Sequence, residues 1–96
     1  MKLDRQMTET SRANEIAIDA LTFLAADIER LGRFLALTGI DPQTIRLAAR
    51  EPGFLVGVLD HVLGDENLLL AFASEASLKP EAIAKARHAL AGPGLD

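Results

Sequence analysis

Apolar residues recur along the chain at spacings of three and four residues, which is the pattern of amphipathic helices rather than of strands. Glycine, proline and aspartate residues interrupt this pattern and mark helix ends. We predict six short helices: one over about Arg12–Ala25, one between Asp27 and Gly39, two that open at Pro42 and Pro52, one over about Glu66–Ala76, and one that opens at Pro80 and stops at Gly92-Pro93. The predicted fold class is all-α.

Several residues have specific roles at these helix ends. Asp27 and Asp65 each precede an apolar run, where an aspartate side chain can accept the unpaired N–H groups of a first helical turn. Pro42 follows Asp41 and suits the first position of a helix, because proline has no N–H to lose there. Gly39 occupies the position after a helix where a left-handed backbone is common.

The N-terminal segment is more polar than the rest of the chain. We expect residues 1–11 to form a mobile tail that lacks the apolar stretch of a signal peptide. Residues 12–96 then form a single helical domain, because 96 residues are enough for one domain and too few for two. The longest apolar run, Leu68–Ala73, is far shorter than the about 20 residues that cross a bilayer, so no membrane contact is predicted.

The chain aligns with itself without gaps when Leu21 is placed on Leu59, and we call this the self-alignment. The pattern L-x5-D-x3-L-x2-F-x7-P-x2-I-x2-A begins at both of these leucines. The matched positions are caps, helix starts and inward-facing apolar sites, which are the positions that specify structure. We therefore predict two pseudo-repeated three-helix units, residues 15–50 and 53–88, packed together in one compact domain.

Composition and charge narrow the function classes. The absence of cysteine excludes a disulfide framework, a thiolate metal site and a cysteine nucleophile, and it favours a cytoplasmic location. Residues 51–96 carry the whole net charge of −4, and a surface of this kind does not suit nucleic acid. The scattered glycines form no phosphate-binding loop, which disfavours a nucleotide-dependent enzyme.

Residues 31–50 nevertheless resemble the corner of a helix-turn-helix, with Gly39 between two predicted helices. In this alternative, the third helix enters the major groove and presents four polar side chains to base edges: Gln43, Thr44, Arg46 and Arg50. The same corner recurs at residues 76–80 without a glycine and with few basic residues, so packing geometry explains its shape equally well. Nucleic-acid binding is therefore the second hypothesis.

Residues 60–66 gather side chains that bind metal ions or transfer protons: Asp60, His61, Asp65 and Glu66. A metal site usually needs three or four protein ligands in a defined geometry, and no second histidine lies nearby. Neither Glu-x-x-His nor His-Glu-x-x-His spacing occurs. We expect no cofactor and no enzymatic activity, and a metal or acid/base site built on His61, Asp65 and Glu66 is the third hypothesis.

The fourth predicted helix and the following apolar run are more apolar than a small domain easily buries. Such a surplus can form a groove for a partner helix or the seam of a homodimer, and a well-filled monomer core is the alternative. We expect a small non-enzymatic interaction module that binds an unknown protein partner or a second copy of itself. The candidate contact residues are Leu55, Leu59, Leu68, Leu69 and Phe72.

Several short segments also carry a family resemblance. They are Ala20–Asp27, Leu31–Leu35, Thr38–Ile40, Pro52–Leu55, Val58–Asp60, Asp65–Glu66 and Phe72–Ala73. Over about residues 15–91 the chain resembles an uncharacterised family of short alphaproteobacterial proteins, domain of unknown function 3572. The resemblance implies a small bacterial helical protein, and it brings with it no catalytic or binding residues.

Overall fold

The computed structural model describes residues 2–51 and 53–91, with side-chain burial for residues 10–51 and 53–91. The helices are α1 (Lys2–Ala25), α2 (Ile28–Thr38), α3 (Ile45–Ala48), α4 (Phe54–Leu63), α5 (Glu66–Ala76) and α6 (Pro80–Ala91), and a 3₁₀ turn at Pro42–Thr44 precedes α3. No strand occurs in these residues, which confirms the all-α fold class.

Both ends of α2 are capped as predicted. Oδ1 of Asp27 accepts the backbone N–H groups of Glu29 and Arg30, at 2.9 and 3.4 Å. Gly39 adopts a left-handed backbone with φ of 77°, and its N–H donates to the carbonyl of Leu35. These contacts satisfy backbone groups that have no partner within the helix, and an N-cap of this kind contributes about 1 kcal/mol.

Helix α5 is capped in the same way, and its predicted bounds are confirmed. Oδ1 of Asp65 accepts the backbone N–H of Leu68 at 3.1 Å. Ser77 ends the helix in the left-handed region with φ of 57°, the position that Gly39 has after α2.

Helix α1 begins at Lys2, ten residues before the predicted start at Arg12. The prediction followed apolar periodicity, and residues 2–11 contain only two apolar side chains, Leu3 and Met7, which are too few to identify a helix. The mobility of residues 1–11 stays a prediction.

The predicted third helix is much shorter than expected. Asp41 accepts the backbone N–H of Gln43 through its side chain, and its carbonyl accepts the N–H of Thr44. The bond to Thr44 spans three residues, which winds this segment as a 3₁₀ turn, and the α-helix that follows covers only Ile45–Ala48. The predicted opening of the fourth helix at Pro52 and the predicted stop at Gly92-Pro93 lie outside the described residues.

The core lies where α1, α4 and α6 pack against one another. Leu24, Leu59 and Ile83, from these three helices, are each 0% exposed. Helices α2 and α5 pack on the outside of this group, and each contributes a phenylalanine, Phe34 or Phe72, that is 1% exposed. The Cα radius of gyration of 13.4 Å is that of a compact domain of this length.

The predicted pair of equivalent three-helix units is not confirmed. In the self-alignment, the end of α1 does coincide with the end of α4, and both ends of α2 coincide with those of α5. The third helices do not correspond, because α3 has four residues while α6 has twelve and packs against both α1 and α4. The agreement in the self-alignment therefore concerns local helix boundaries and not the whole units.

Candidate binding cleft

An open cleft of about 370 Å³ lies between α2 and α5, and we name it the α2–α5 cleft. Its walls come from the N-terminal turns of the two helices and from the end of α4. The lining residues are Asp27, Glu29, Arg30 and Arg33 from the first helix and its cap, Asp65, Asn67, Leu68 and Ala71 from the second, and His61 from α4. The cleft thus combines carboxylates, guanidinium groups and an imidazole.

The two capping aspartates of the cleft are already engaged with backbone N–H groups. Asp27 and Asp65 each use Oδ1 for this purpose. Oδ2 of Asp27 lies 4.0 Å from Nε of Arg30, an ion pair at the limit of contact. No hydrogen bond to Oδ2 of Asp65 occurs in the described residues, so this oxygen has capacity to accept one from a ligand in the cleft.

The two arginines of the cleft differ in how they are held. The guanidinium of Arg30 lies over the ring of Phe23, with 4.3 Å between Cζ and the ring centroid. This cation–π contact fixes its position and contributes about 0.5–1 kcal/mol at an exposed site. Arg33 is exposed and forms no ion pair or side-chain hydrogen bond within residues 2–51 and 53–91.

His61 is half-buried at the base of the cleft. Its ring packs against the Phe34 ring in a T-shaped arrangement with 5.1 Å between centroids. Its Nε2 is buried and has no hydrogen-bond partner among the described residues. Burial lowers the pKa of His61 because desolvation penalises the imidazolium. The carboxylate of Asp65 raises this pKa and the guanidinium of Arg33 lowers it, and the net direction is down. The imidazole is therefore neutral at pH 7.

The structure separates the acidic histidine cluster predicted at residues 60–66. Asp60 turns away to α6, where its carboxylate accepts two hydrogen bonds from Arg87, at 2.8 and 3.3 Å. His61 and Asp65 line the cleft, whereas Glu66 is exposed and does not. Nowhere in the described residues do three histidine or carboxylate side chains meet in a way that could hold a metal ion.

The four residues of the nucleic-acid hypothesis are all exposed: Gln43, Thr44, Arg46 and Arg50. They stand on a 3₁₀ turn, on a four-residue α-helix and after its end. A recognition helix reads the major groove with several turns of helix, and α3 has only one. The predicted helix for groove insertion is therefore absent from residues 42–50, although the side chains remain accessible.

Two of the five predicted partner-contact residues belong to the core. Leu59 is 0% exposed and Phe72 is 1% exposed, so neither side chain reaches a partner from the folded protein. Leu55, Leu68 and Leu69 are half-buried and pack against the core. The reason is that α4 and α5 have helical neighbours on several sides, which use most of the apolar surplus. Within residues 10–51 and 53–91, the large apolar side chains at the surface are instead Ile18, Ile28, Leu37, Leu47 and Leu70.

Sequence patterns did not identify Arg30, Arg33 and Asn67 as cleft residues. In the helix-turn-helix alternative the two arginines of α2 are only possible phosphate contacts, and α5 lies far away along the chain. The available signal was the pair of N-cap aspartates, Asp27 and Asp65, which marks the helix ends that meet at this site.

The fold and the cleft define a small, all-helical, compact protein. The chain belongs to the family described as "Protein of unknown function (DUF3572)", whose family model matches residues 10–93. No curated protein and no solved structure matches the chain. Within residues 2–51 and 53–91, every helix is too short or too polar to span a bilayer.

Proposed function

We propose that this protein is a non-enzymatic, cytoplasmic binding module for a protein segment that carries both apolar and acidic side chains. The contact surface is the outside of α2, the corner after it and α3, over residues 28–50. The observation that carries the proposal is the position of the exposed apolar side chains. Leu37 and Leu47 are 70 and 63% exposed, and both lie in this segment. Ile28, which is 87% exposed, lies nine residues before Leu37 and therefore on the opposite side of α2.

These side chains are left uncovered because α2 and α3 lie at the edge of the domain. Phe34 is the single buried residue of α2, and α3 has none. Full burial of a leucine or isoleucine side chain contributes about 1.5–3 kcal/mol, so a partner that covers Leu37 and Leu47 would gain substantial free energy. Ile18 and Leu70, elsewhere on the surface, are 51 and 50% exposed and offer less.

Charge complementarity indicates the chemistry of the partner. Residues 28–50 contain four arginines and two acidic residues, a net charge of +2 in a chain whose total is −4. Arg46 directly precedes Leu47, and Arg50 follows it by three residues, both exposed. An acidic segment would therefore be attracted to this surface and repelled by the acidic remainder of the protein, so it would bind at this face.

Nucleic acid is a poorer occupant of the same surface. The basic charge is small, and binding to phosphates alone would leave Leu37 and Leu47 in water. A second copy of the chain is the other alternative occupant, with its acidic half against this face.

The test uses two synthetic amphipathic helical peptides that share one leucine pattern, one with glutamates and one with lysines on the polar face. We expect the acidic peptide to bind, measured by fluorescence anisotropy, and the lysine peptide to bind at least about tenfold more weakly. Leu37→Glu and Leu47→Glu should each abolish binding of the acidic peptide. Leu70→Glu, an equally drastic change on α5, is the matched control and should leave binding unchanged.

Several results would contradict this proposal. Equal binding of both peptides would contradict the role of charge. Loss of binding in Leu70→Glu would contradict the assignment of binding to the face around Leu37 and Leu47. Self-association by light scattering that disappears in Leu37→Glu would assign the surface to a second copy. Retardation of duplex DNA that is lost in Arg46→Ala would assign it to nucleic acid.

A further inference from the structure

Two aromatic contacts beside the α2–α5 cleft can be compared, because the self-alignment relates the residues of one contact to those of the other. Phe23 on α1 packs against Phe72 on α5, with 5.4 Å between ring centroids. His61 on α4 packs against Phe34 on α2, with 5.1 Å between centroids. The self-alignment of the chain places Phe23 on His61 and Phe34 on Phe72. Packing is thus satisfied by phenylalanine in one contact, while the other contact has a histidine at the base of the cleft.

The two walls of the cleft also differ in chemistry, with charged side chains on α2 where α5 has apolar ones. In the self-alignment, Arg30 and Arg33 of α2 correspond to Leu68 and Ala71 of α5, and all four residues line the cleft. Leucine and alanine suffice to build the α5 wall. Packing over the Phe23 ring accounts for the guanidinium of Arg30. No contact within residues 2–51 and 53–91 accounts for that of Arg33, which points to a ligand.

A positive and a negative group lie near the same imidazole without pairing. Arg33 and Asp65 both act on the pKa of His61, with opposite sign. Between them no ion pair forms in the part of the chain that the structure describes. Both side chains line the cleft, so a ligand that enters it meets a guanidinium and a carboxylate.

We propose that the α2–α5 cleft binds a small dipolar ligand, whose carboxylate or phosphate group meets Arg33 and whose ammonium group meets Asp65. Arg30, held in place over an aromatic ring, supplies a second guanidinium for the anionic end. This site shares Arg30 and Arg33 with the segment of the proposed protein-binding surface, but it does not involve Leu37 or Leu47 and does not depend on that function.

The remaining charges of the cleft favour a dipolar ligand over a simple anion. Asp27 and Glu29 are the other charged groups of the lining, so it holds three carboxylates and two guanidinium groups. Asp27 accepts two backbone N–H groups, and Glu29 is exposed to solvent. A simple anion would add its whole charge to the excess of negative charge, whereas the ammonium group of a dipolar ligand offsets the charge of its carboxylate fully and that of a phosphate in part.

The test probe is glycylglycine, which carries an ammonium and a carboxylate group. Its binding to the full chain is measured by ¹H–¹⁵N NMR titration. We expect saturable shifts at the amides of Arg33 and Asp65 and at the His61 ring. N-acetylglycylglycine lacks the ammonium group and glycylglycinamide lacks the carboxylate, and each should bind about tenfold more weakly. Phosphoethanolamine carries a phosphate in place of the carboxylate, and it tests whether the anionic group of the ligand is a phosphate.

Two variants separate a binding role from a structural one. Arg33→Ala changes an exposed residue to the residue found at the corresponding position 71, and Asp65→Asn removes the charge while keeping a side chain that caps helices. Both should remain folded by circular dichroism and weaken probe binding about tenfold. The matched controls, Arg46→Ala and Asp41→Asn, should bind like the wild type.

Binding of glycylglycine, of phosphoethanolamine or of both supports the proposal and identifies the anionic group. Three results would overturn it: no saturable shift with either probe, equal binding of the acetylated or amidated peptides, or equal losses in the control variants. Because the peptide-binding test changes Leu37 and Leu47, failure of one proposal leaves the other standing.

Discussion

The ring of His61 stands edge-on to the ring of Phe34, with an angle of 74° between their planes. This contact joins the end of α4 to the middle of α2, beside the cleft that His61 lines. Nε2 of the same histidine is buried and has no hydrogen-bond partner within residues 2–51 and 53–91. A proton on this ring would place a charge in a desolvated position, which makes the contact sensitive to pH.

Stability should therefore fall as His61 becomes protonated. Its folded-state pKa lies below the unfolded value of about 6.5, so the unfolded chain takes up the proton first as the pH falls. The stability that the neutral His61 ring contributes is fully present above pH 6.5. It decreases as the pH falls from there toward the lowered folded-state pKa, and it is constant below that pKa.

Urea unfolding at about pH 7.5 and about pH 5.5 measures this effect, since the interval spans the histidine titration. The wild type and the His88→Gln control, which changes an exposed histidine, should lose stability between the two values. His61→Gln should lose less. Parallel losses in all three proteins would show that other groups cause the pH dependence.

The burial of Leu59 and Phe72 predicts large losses of stability on truncation. Leu59→Ala is expected to cost about 2–5 kcal/mol and Phe72→Ala about 3–5 kcal/mol, because each leaves a cavity in the core. Leu70→Ala is the matched control on α5, and its side chain is 50% exposed. Its effect should stay below about 1 kcal/mol in the same urea titration. Equal and small effects for all three variants would contradict the core position of Leu59 and Phe72.

The sequence predicted the helices best where local chemistry decides their ends. Asp27, Gly39 and Asp65 act on backbone groups within four residues of themselves, so their roles can be recognised without the tertiary structure. The start of α1 and the length of α3 were wrong for the opposite reason. Residues 2–11 give no apolar pattern to follow, and the 3₁₀ winding after Asp41 depends on competition between closely similar turns.

The cleft and the partner residues depended on tertiary packing, which periodicity does not contain. Leu59 and Phe72 look like surplus apolar surface only while the neighbours of α4 and α5 are unknown. The position of Arg30 and Arg33 in the cleft can be recognised only when α2 is known to lie beside α5. Local pattern therefore identified the elements, whereas the chemical site required the arrangement of those elements in space.

The N-cap aspartates should each contribute measurably to stability. Asp27→Ala and Asp65→Ala are expected to lower the free energy of unfolding by about 1 kcal/mol each, since backbone N–H groups at 2.9 and 3.1 Å lose their acceptor. Asp65→Asn should retain most of this contribution because asparagine is an equally good cap. Asp19→Ala, an exposed change within α1, is the control. A loss in Asp19→Ala as large as in the cap variants would point to charge rather than to capping.

Two glycines associated with α2 should respond in opposite directions to the same substitution. Gly39 has φ of 77°, where an alanine Cβ is strained, so Gly39→Ala should destabilise the protein by about 1 kcal/mol or more. Gly32 lies within the exposed face of the helix, and a Cβ there would meet no atom within 4 Å. Gly32→Ala should therefore stabilise by about 0.5–1 kcal/mol, because alanine restricts the unfolded chain and favours helix. Thermal and urea unfolding of both variants would measure this contrast, and a stable Gly39→Ala protein would show that α2 does not end in a left-handed residue.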